Sequence, residues 1–396
     1  MLRKIEDDVC YIGCSNPTQE EFEGEIPLVD GMSYNSYLTL DEKTCLQDTV
    51  DLSVVDEFIA NLKEALNGRN LDCIVVHHLE PDHTSAMLKV LELYPSAKVY
   101  ISAMGYTMFQ NFFQTTIKNV VIVKEGDVLS LGKHQLKFFA AQMVHWPEVI
   151  MTYDSYNKTL YSADAFGAFY QTDELSIKNL DFNKYLDESR RYYTNIIGKY
   201  GPQVLIALTK ALKFEIKKIC SLHGPILDDE RSISQILAKY KLWASFTQEK
   251  KGVLICYCSI YGNTKKAADS LFMTLQNKGV DVSIINLNRI DTSYALSQSF
   301  IYKDIVILCP TFNNDIYPKM EMYLSFLKAR MIRNKRFTII ENGSWVPAAG
   351  KIIGKILSGI PGNEISPLTL TIKSSLKPED YTVLNQIAED LAIKER

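Results

Sequence analysis

A chain of 396 residues, 46% hydrophobic and 23% charged, has an ordinary globular composition and is too long for one ordinary core, so two domains are expected. The formal net charge of −4, with acids and bases interspersed, gives no electrostatic reason to expect nucleic acid or an anionic membrane as partner. The charged opening MLRKIEDDVCYIG lacks the apolar centre of a signal peptide, and no apolar run approaches the ~20 residues that cross a bilayer. A cytoplasmic protein is expected.

Up to about residue 245 the chain reads as short strands separated by turns: VCYIG, NSYLTL, CIVVH, KVYIS, NVVIVK, HQLKFFAA, VIMTY and TLYSA. Helical patterns interrupt them at Thr84 to Leu93 and over 182–198, which suggests sheets packed under helices. The polar segment SFTQEKK suits a connection, and the domains are placed at 1–248 and 249–396. Beyond it the texture becomes regular. The strands VLICY, DVSIINL, DIVILC and FTIIE each take a helical partner. The last helix opens at Lys377-Pro378-Glu379 and carries Leu384, Ile387, Ala388 and Leu391 on one face. Such alternation predicts a doubly wound parallel sheet. The eight cysteines form no CxxC pair, which excludes a zinc ribbon or rubredoxin-type iron centre on these residues; buried reduced thiols are expected.

Just after the buried strand CIVV come four possible metal ligands within six positions, His78-x-Glu80-x-Asp82-His83. Burying so many ionisable groups without a cation would be very costly. The set exceeds what one open tetrahedral zinc needs, which implies two metals sharing a carboxylate. Other candidates also close apolar runs: His145 in MVHWPE, Asp164 after TLYSA, and His223 after IKKICSL. Taken singly, each could be an ordinary structural residue. His77 reads as support or packing, and His134 as surface.

In the second half, Ser259-Ile260-Tyr261-Gly262-Asn263-Thr264 links a strand to a helix and offers hydroxyls and free N–H groups to an anion. It has no P-loop lysine, so a single phosphate fits better than a triphosphate. Two further loops, Pro310-Thr311-Phe312-Asn313-Asn314 and Asn342-Gly343-Ser344-Trp345, close parallel strands, where this architecture binds its ligand.

Taken together, these pieces carry a resemblance. The first half is similar to a metallo-β-lactamase-like αββα sandwich, with Glu80 standing where that superfamily's hydrolases place a second histidine. Glu80 with HWP, SADAFG, LHG, GMSYNSYL and QDTVD resembles the flavodiiron proteins, or A-type flavoproteins, over nearly the whole chain. The resemblance implies two iron ions, one on His78, Glu80 and His145, the other on Asp82, His83 and His223, with Asp164 bridging. An anionic oxygen donor such as Glu80 favours a harder ion than zinc.

The second half resembles short-chain flavodoxin and implies FMN, with Trp345 flanking the isoalloxazine and Phe312 as a second candidate. The third loop departs from the usual form, since Val346-Pro347-Ala348-Ala349 replaces a Gly-rich run. By the same resemblance, Tyr193 in RYYTNI would project toward the irons as a catalytic group. Phe22-Glu23-Gly24 replaces a common histidine with Glu23, which either changes substrate preference or proton delivery or lies outside the pocket.

The implied activity is reduction of dioxygen to water, of nitric oxide to nitrous oxide, or both. Electrons would come from a separate rubredoxin, a flavin reductase or a reduced deazaflavin. A head-to-tail homodimer or dimer of dimers would bring one subunit's flavin beside the other's irons. The competing readings are a binuclear zinc hydrolase fused to a flavodoxin-like domain, and an FMN electron carrier with the first half as scaffold.

Overall fold

The computed structural model describes residues 3–394. The chain divides into two compact units, one ending at Lys241 and the other beginning at Leu242. The division falls within the helix Glu230–Ala244.

The first unit contains two sheets. One runs in the order β1 (Arg3–Glu6), β2 (Val9–Tyr11), β3 (Tyr37–Leu40), β4 (Thr44–Gln47), β5 (Cys73–Val75), β6 (Lys98–Ser102) and β7 (Val120–Val123). The other comprises β8 (Val128–Ser130), β9 (Gln135–Ala140), β10 (Ile150–Asp154), β11 (Thr159–Tyr161) and β12 (Lys218–Cys220). Each sheet contributes one apolar face to a shared core. Tyr37, Cys45, Cys73 and Val75 from the first pack in one cluster with Leu136, Phe138, Ile150 and Tyr161 from the second. Helices such as Val55–Leu66 present one buried stripe, here Phe58, Ile59, Leu62 and Leu66, and expose the other face. The result is an αββα sandwich.

In the second unit β13 (Val253–Tyr257), β14 (Val282–Asn286), β15 (Asp304–Phe312) and β16 (Arg336–Asn342) form a parallel sheet in the order β14-β13-β15-β16. Beyond β16 the edge is split. β17 (Glu364–Ile365) pairs with its beginning and β18 (Leu370–Ile372) with its end. The helices Asn263–Asn277 and Pro378–Lys394 place Ala267, Leu271, Leu275, Leu384, Ile387 and Leu391 in one cluster over this sheet. This is the doubly wound, flavodoxin-like arrangement. The order reverses between β13 and β15, which opens a crevice at their carboxyl ends.

All eight cysteines are free and buried. No helix among the described residues is long and apolar enough to cross a membrane. The expected 182–198 helix is regular only over Phe182–Tyr192; at Tyr193–Ile197 it widens into π geometry, then tightens before the helix Gly201–Ala211.

Candidate functional site

The four-ligand run leaves the sheet at the end of β5 and turns at once. Pro81 occupies the first position of the short helix Pro81–Thr84, where its missing N–H would have had no partner. The Thr84 hydroxyl donates to the carbonyls of Leu79 and Glu80 at 3.1 and 2.9 Å, folding the turn back on itself. Asp82 and His83 are thereby carried around toward His78 and Glu80. His145, Asp164 and His223 arrive on the segments following β9, β11 and β12.

The seven candidate ligands meet in two groups: His78, Glu80, His145 and Asp164 in one, Asp82, His83 and His223 in the other. In the first, Glu80 Oε2 lies 3.1 Å from the Nε2 atoms of both His78 and His145, and those nitrogens are 3.3 Å apart. In the second, Asp82 Oδ2 lies 3.2 Å from His223 Nε2 and 3.4 Å from His83 Nε2. Asp164 faces both. Its Oδ2 is 3.1 Å from His145 Nε2, and its Oδ1 is 3.1 Å from His83 Nε2.

These residues fit a pair of metal ions. Nitrogens 3.3 Å apart can both reach a point ~2.0–2.1 Å from each, the length of a metal–imidazole bond. Both Asp82 oxygens, both His83 ring nitrogens, Asp164 Oδ1 and His223 Nε2 are buried without a directed hydrogen bond. Such atoms are costly to leave orphaned unless something else takes them.

Electrostatics agree. Burial works to lower the His78 pKa, but Asp164, Glu148 and Glu80 outweigh it and raise it well above the ordinary value. His83 is pushed up to about 8 and His145 to about 9, again because facing carboxylates overcome burial. Burial would raise Asp164, yet His78 and His83 hold it well below the usual carboxylate range. The carboxylates thus recruit positive charge, a role that cations fill by displacing protons.

Outer contacts fix which nitrogen faces inward. His78 Nδ1 donates to Glu148 Oε1 at 2.7 Å, and the Leu79 N–H donates to the same oxygen at 2.9 Å. His223 Nδ1 donates to the Ser33 carbonyl at 2.8 Å, while Asn35 Nδ2 donates to the carbonyls of Ser221 and Gly224. Both imidazoles therefore present Nε2 to the centre. His77 lies outside the cluster, bonded through Nδ1 to Asp48 at 2.5 Å and through Nε2 to Thr152 at 2.8 Å.

Three placements differ from the sequence reading or settle what it left open. Tyr193 stands edge-on to Tyr240, 5.0 Å between centroids, whereas it is Tyr192 whose ring lies 5.6 Å from His223. The Tyr192 hydroxyl is buried with no hydrogen-bond partner, and Asp164, Glu80 and Asp82 add to burial in raising its pKa. Glu23, at φ 51° and exposed, interacts through its carboxyl with Glu80, and partial desolvation followed by Glu80 pushes its pKa up to about 7. His134, expected at the surface, is fully buried. Its Nδ1 is 2.6 Å from Asp154 and its Nε2 3.1 Å from Asp8.

The three loops of the second unit enclose a cavity of ≈ 670 Å³, lined by Ile260, Tyr261, Asn263 and Thr264, by Pro310, Thr311, Phe312, Asn313 and Asn314, and by Asn342, Gly343, Ser344 and Trp345. Ser259 and Gly262 shape the first loop from behind its wall: Ser259 Oγ accepts from the Gly262 and Lys265 N–H groups at 3.1 and 3.3 Å. Gly262, at φ 89°, adopts a conformation few other residues tolerate. Gly343 is needed for another reason, since a Cβ there would come within 2.8 Å of Pro347 Cα.

The sequence reading missed Val346 and Ser374, which also line the cavity. Ser374 binds Ser344 side chain to side chain at 2.9 Å. The unusual Pro-Ala-Ala stretch ties the second loop to the third, because Thr311 Oγ1 accepts from the N–H groups of Ala348 and Ala349. Tyr261 and Trp345 are 92% and 83% exposed, aromatic faces at the rim that can stack on a planar ring. The polar floor and aromatic rim fit a phosphate-bearing flavin.

Comparison with known proteins agrees with both halves. Residues 32–224 match the model of the ODP family beta lactamase, and residues 255–374 match that of flavodoxin. The chain is 30% identical to an anaerobic nitric oxide reductase flavorubredoxin of Klebsiella pneumoniae, over 95% of this chain and 78% of that protein. It is also 30% identical to the flavorubredoxin of the same name from Aeromonas salmonicida, over 88% and 68%. Among solved structures, the rubredoxin oxygen:oxidoreductase of Desulfovibrio gigas superposes with a TM-score of 0.94 at 26% identity, covering 100% of this chain and 98% of that one. The chain belongs to the flavodiiron proteins, oxidoreductases that join an FMN-binding flavodoxin domain to a metallo-β-lactamase-like domain with a diiron centre.

Proposed function

We propose that this protein reduces dioxygen to water, nitric oxide to nitrous oxide, or both, at two irons held by the seven ligands described. His78, Glu80 and His145 would hold one iron, Asp82, His83 and His223 the other, with Asp164 shared. The observation that carries this reading is the two-sided placement of Asp164, one oxygen toward each imidazole set. Iron would supply a redox-active Lewis acid for a diatomic ligand, and FMN would supply electron pairs.

The chain's own residues do the rest. Glu80 places an anionic oxygen where a zinc hydrolase of this fold has imidazole, which favours a harder, more oxidised ion. Glu148 and the Ser33 carbonyl hold two imidazoles in the ligating tautomer. Tyr192, whose buried hydroxyl has no hydrogen-bond partner and whose ring lies 5.6 Å from His223, would donate to a bound ligand. In the second domain, the N–H groups at the start of helix Asn263–Asn277 would take the FMN phosphate, and Trp345 would cover the ring.

A separate rubredoxin, a flavin reductase or a reduced deazaflavin would supply electrons. A head-to-tail homodimer, or a dimer of such dimers, would bring flavin and iron together. The setting is the cytoplasm.

Metal analysis of protein produced with abundant iron, followed by gas consumption after anaerobic reduction, tests this. Two irons per chain and rapid four-electron oxygen uptake, or nitrous oxide from nitric oxide, are expected. Two zincs with ester hydrolysis, or slow reoxidation releasing peroxide, would favour the hydrolase or the carrier instead. Asp164→Ala should lose most of the iron while FMN stays bound.

A further inference from the structure

Among the described residues, the fifteen that line the cavity of the second unit include no carboxylate and no cation. Polar contact is left to amides and hydroxyls, those of Asn263, Asn313, Asn314, Asn342, Thr311 and Ser344. Acids do occur beside these loops, and each is engaged elsewhere. Glu341 directly precedes Asn342, but its two oxygens accept from the Gly350 N–H at 2.8 Å and the Thr371 hydroxyl at 2.9 Å, and it lines a different pocket. Gly350 allows that approach, since a Cβ there would come within 3.0 Å of Glu341 Cδ. Asp315 directly follows Asn314; it is exposed and accepts from the Ile316 N–H at 2.7 Å.

The backbone does not dictate this choice. Asn313 and Asn314 stand at φ 51° and 59°, a region that aspartate enters as well as asparagine does. Amides here keep the turn and withhold the charge. The difference matters to a flavin. Full reduction near neutral pH adds two electrons and one proton, so the ring gains one negative charge, while the phosphate carries the same charge before and after. A carboxylate on the wall would oppose that added charge, and more strongly in a partly desolvated cavity than in water. An amide N–H can instead donate to it.

We propose that this uncharged wall binds fully reduced, anionic FMN at least as tightly as oxidised FMN, which makes the flavin an easily filled two-electron store; the proposal rests on the FMN site and electron supply described above. The ratio of the two affinities sets the potential of bound flavin relative to free flavin. Anaerobic redox titration of the full-length iron- and FMN-loaded protein, followed at the flavin absorbance, should place that potential at or above the value for free FMN. Asn314→Asp should weaken binding of reduced FMN about tenfold relative to oxidised FMN, a fall of ~30 mV for a two-electron couple. Asn314→Ser, which adds no charge, and Asp315→Asn, outside the wall, should leave the potential where it is.

Should Asn314→Asp fail to fold or to keep its flavin, Ser344→Asp on the exposed third loop makes the same test and should lower the potential likewise. A native potential clearly below that of free FMN, or one unmoved by a carboxylate at 314 or 344, would overturn the proposal. The titration reads the flavin apart from the gas chemistry. A protein that shows these shifts but consumes neither gas supports the wall's role while the reductase reading fails. A protein that binds no FMN at all overturns the cavity assignment and this proposal together.

Discussion

Glu148 holds the Nδ1 of His78 without touching the cluster centre. Glu148→Gln exchanges a carboxylate for a neutral amide, so His78 becomes a weaker base and its ring is held less firmly. Iron affinity should fall about 10–100-fold, measured by chelator competition, with FMN content unchanged. Tyr192 offers a sharper test. Its hydroxyl is buried and unpartnered, so Tyr192→Phe should leave the melting temperature unchanged or raise it. Turnover should nevertheless drop if that hydroxyl serves a bound ligand; unchanged turnover would remove Tyr192 from the mechanism. The resemblance pointed to Tyr193 while the structure sets Tyr192 beside His223, because adjacent aromatics on a helix look alike until the backbone is known. The change to π geometry at Tyr193 belongs to tertiary packing and leaves no mark in residue spacing. Glu148 was visible as part of HWPE, but its bond to a histidine 70 positions earlier was not.

Among elements, the strands of the parallel sheet were the most legible. VLICY coincides with β13, because a fully buried strand is a continuous apolar run bounded by turns. The short pairing of Cys14–Asn16 with Met32–Tyr34 was not foreseen, since three-residue strands carry too little pattern. The turn joining β8 to β9 misled for another reason. Gly132-Lys133-His134 reads as a solvated corner, yet Asp8, Asp41 and Asp154 converge on His134 from three other parts of the chain. Those aspartates, with Tyr156 edge-on at 4.9 Å and Lys133 above that ring, are the titratable groups around it. Burial lowers the His134 pKa, but Asp154 and then Asp8 raise it overall. The stabilisation is therefore full below the unfolded value of about 6.5 and is lost as pH rises through the folded value. His134→Gln should cost about 3 kcal/mol in mildly acidic buffer, with the difference from the native protein shrinking toward alkaline pH, as denaturant titration at several pH values would show.

For the whole molecule, the division into two units with separate cores predicts that damage to one cofactor site spares the other. Trp345→Ala should weaken flavin retention, read as lost visible absorbance after gel filtration, while iron content stays at the native level. The two-part plan was legible because hydrophobic patterning changes from scattered short strands to regular strand-helix alternation near residue 250. The union of ligands was legible only as a set of residue types at strand ends, since contacts bridging more than a hundred residues leave no local trace. One such contact sets the order of events during synthesis. His223 is oriented by Ser33, 190 positions earlier. A nascent chain still on the ribosome, with His78 to His83 already outside, cannot complete the second ligand group until the segment carrying His223 emerges and closes against the early strands. Iron arriving sooner would meet only part of its cage, so stable iron uptake would mark the moment when the first domain has finished folding.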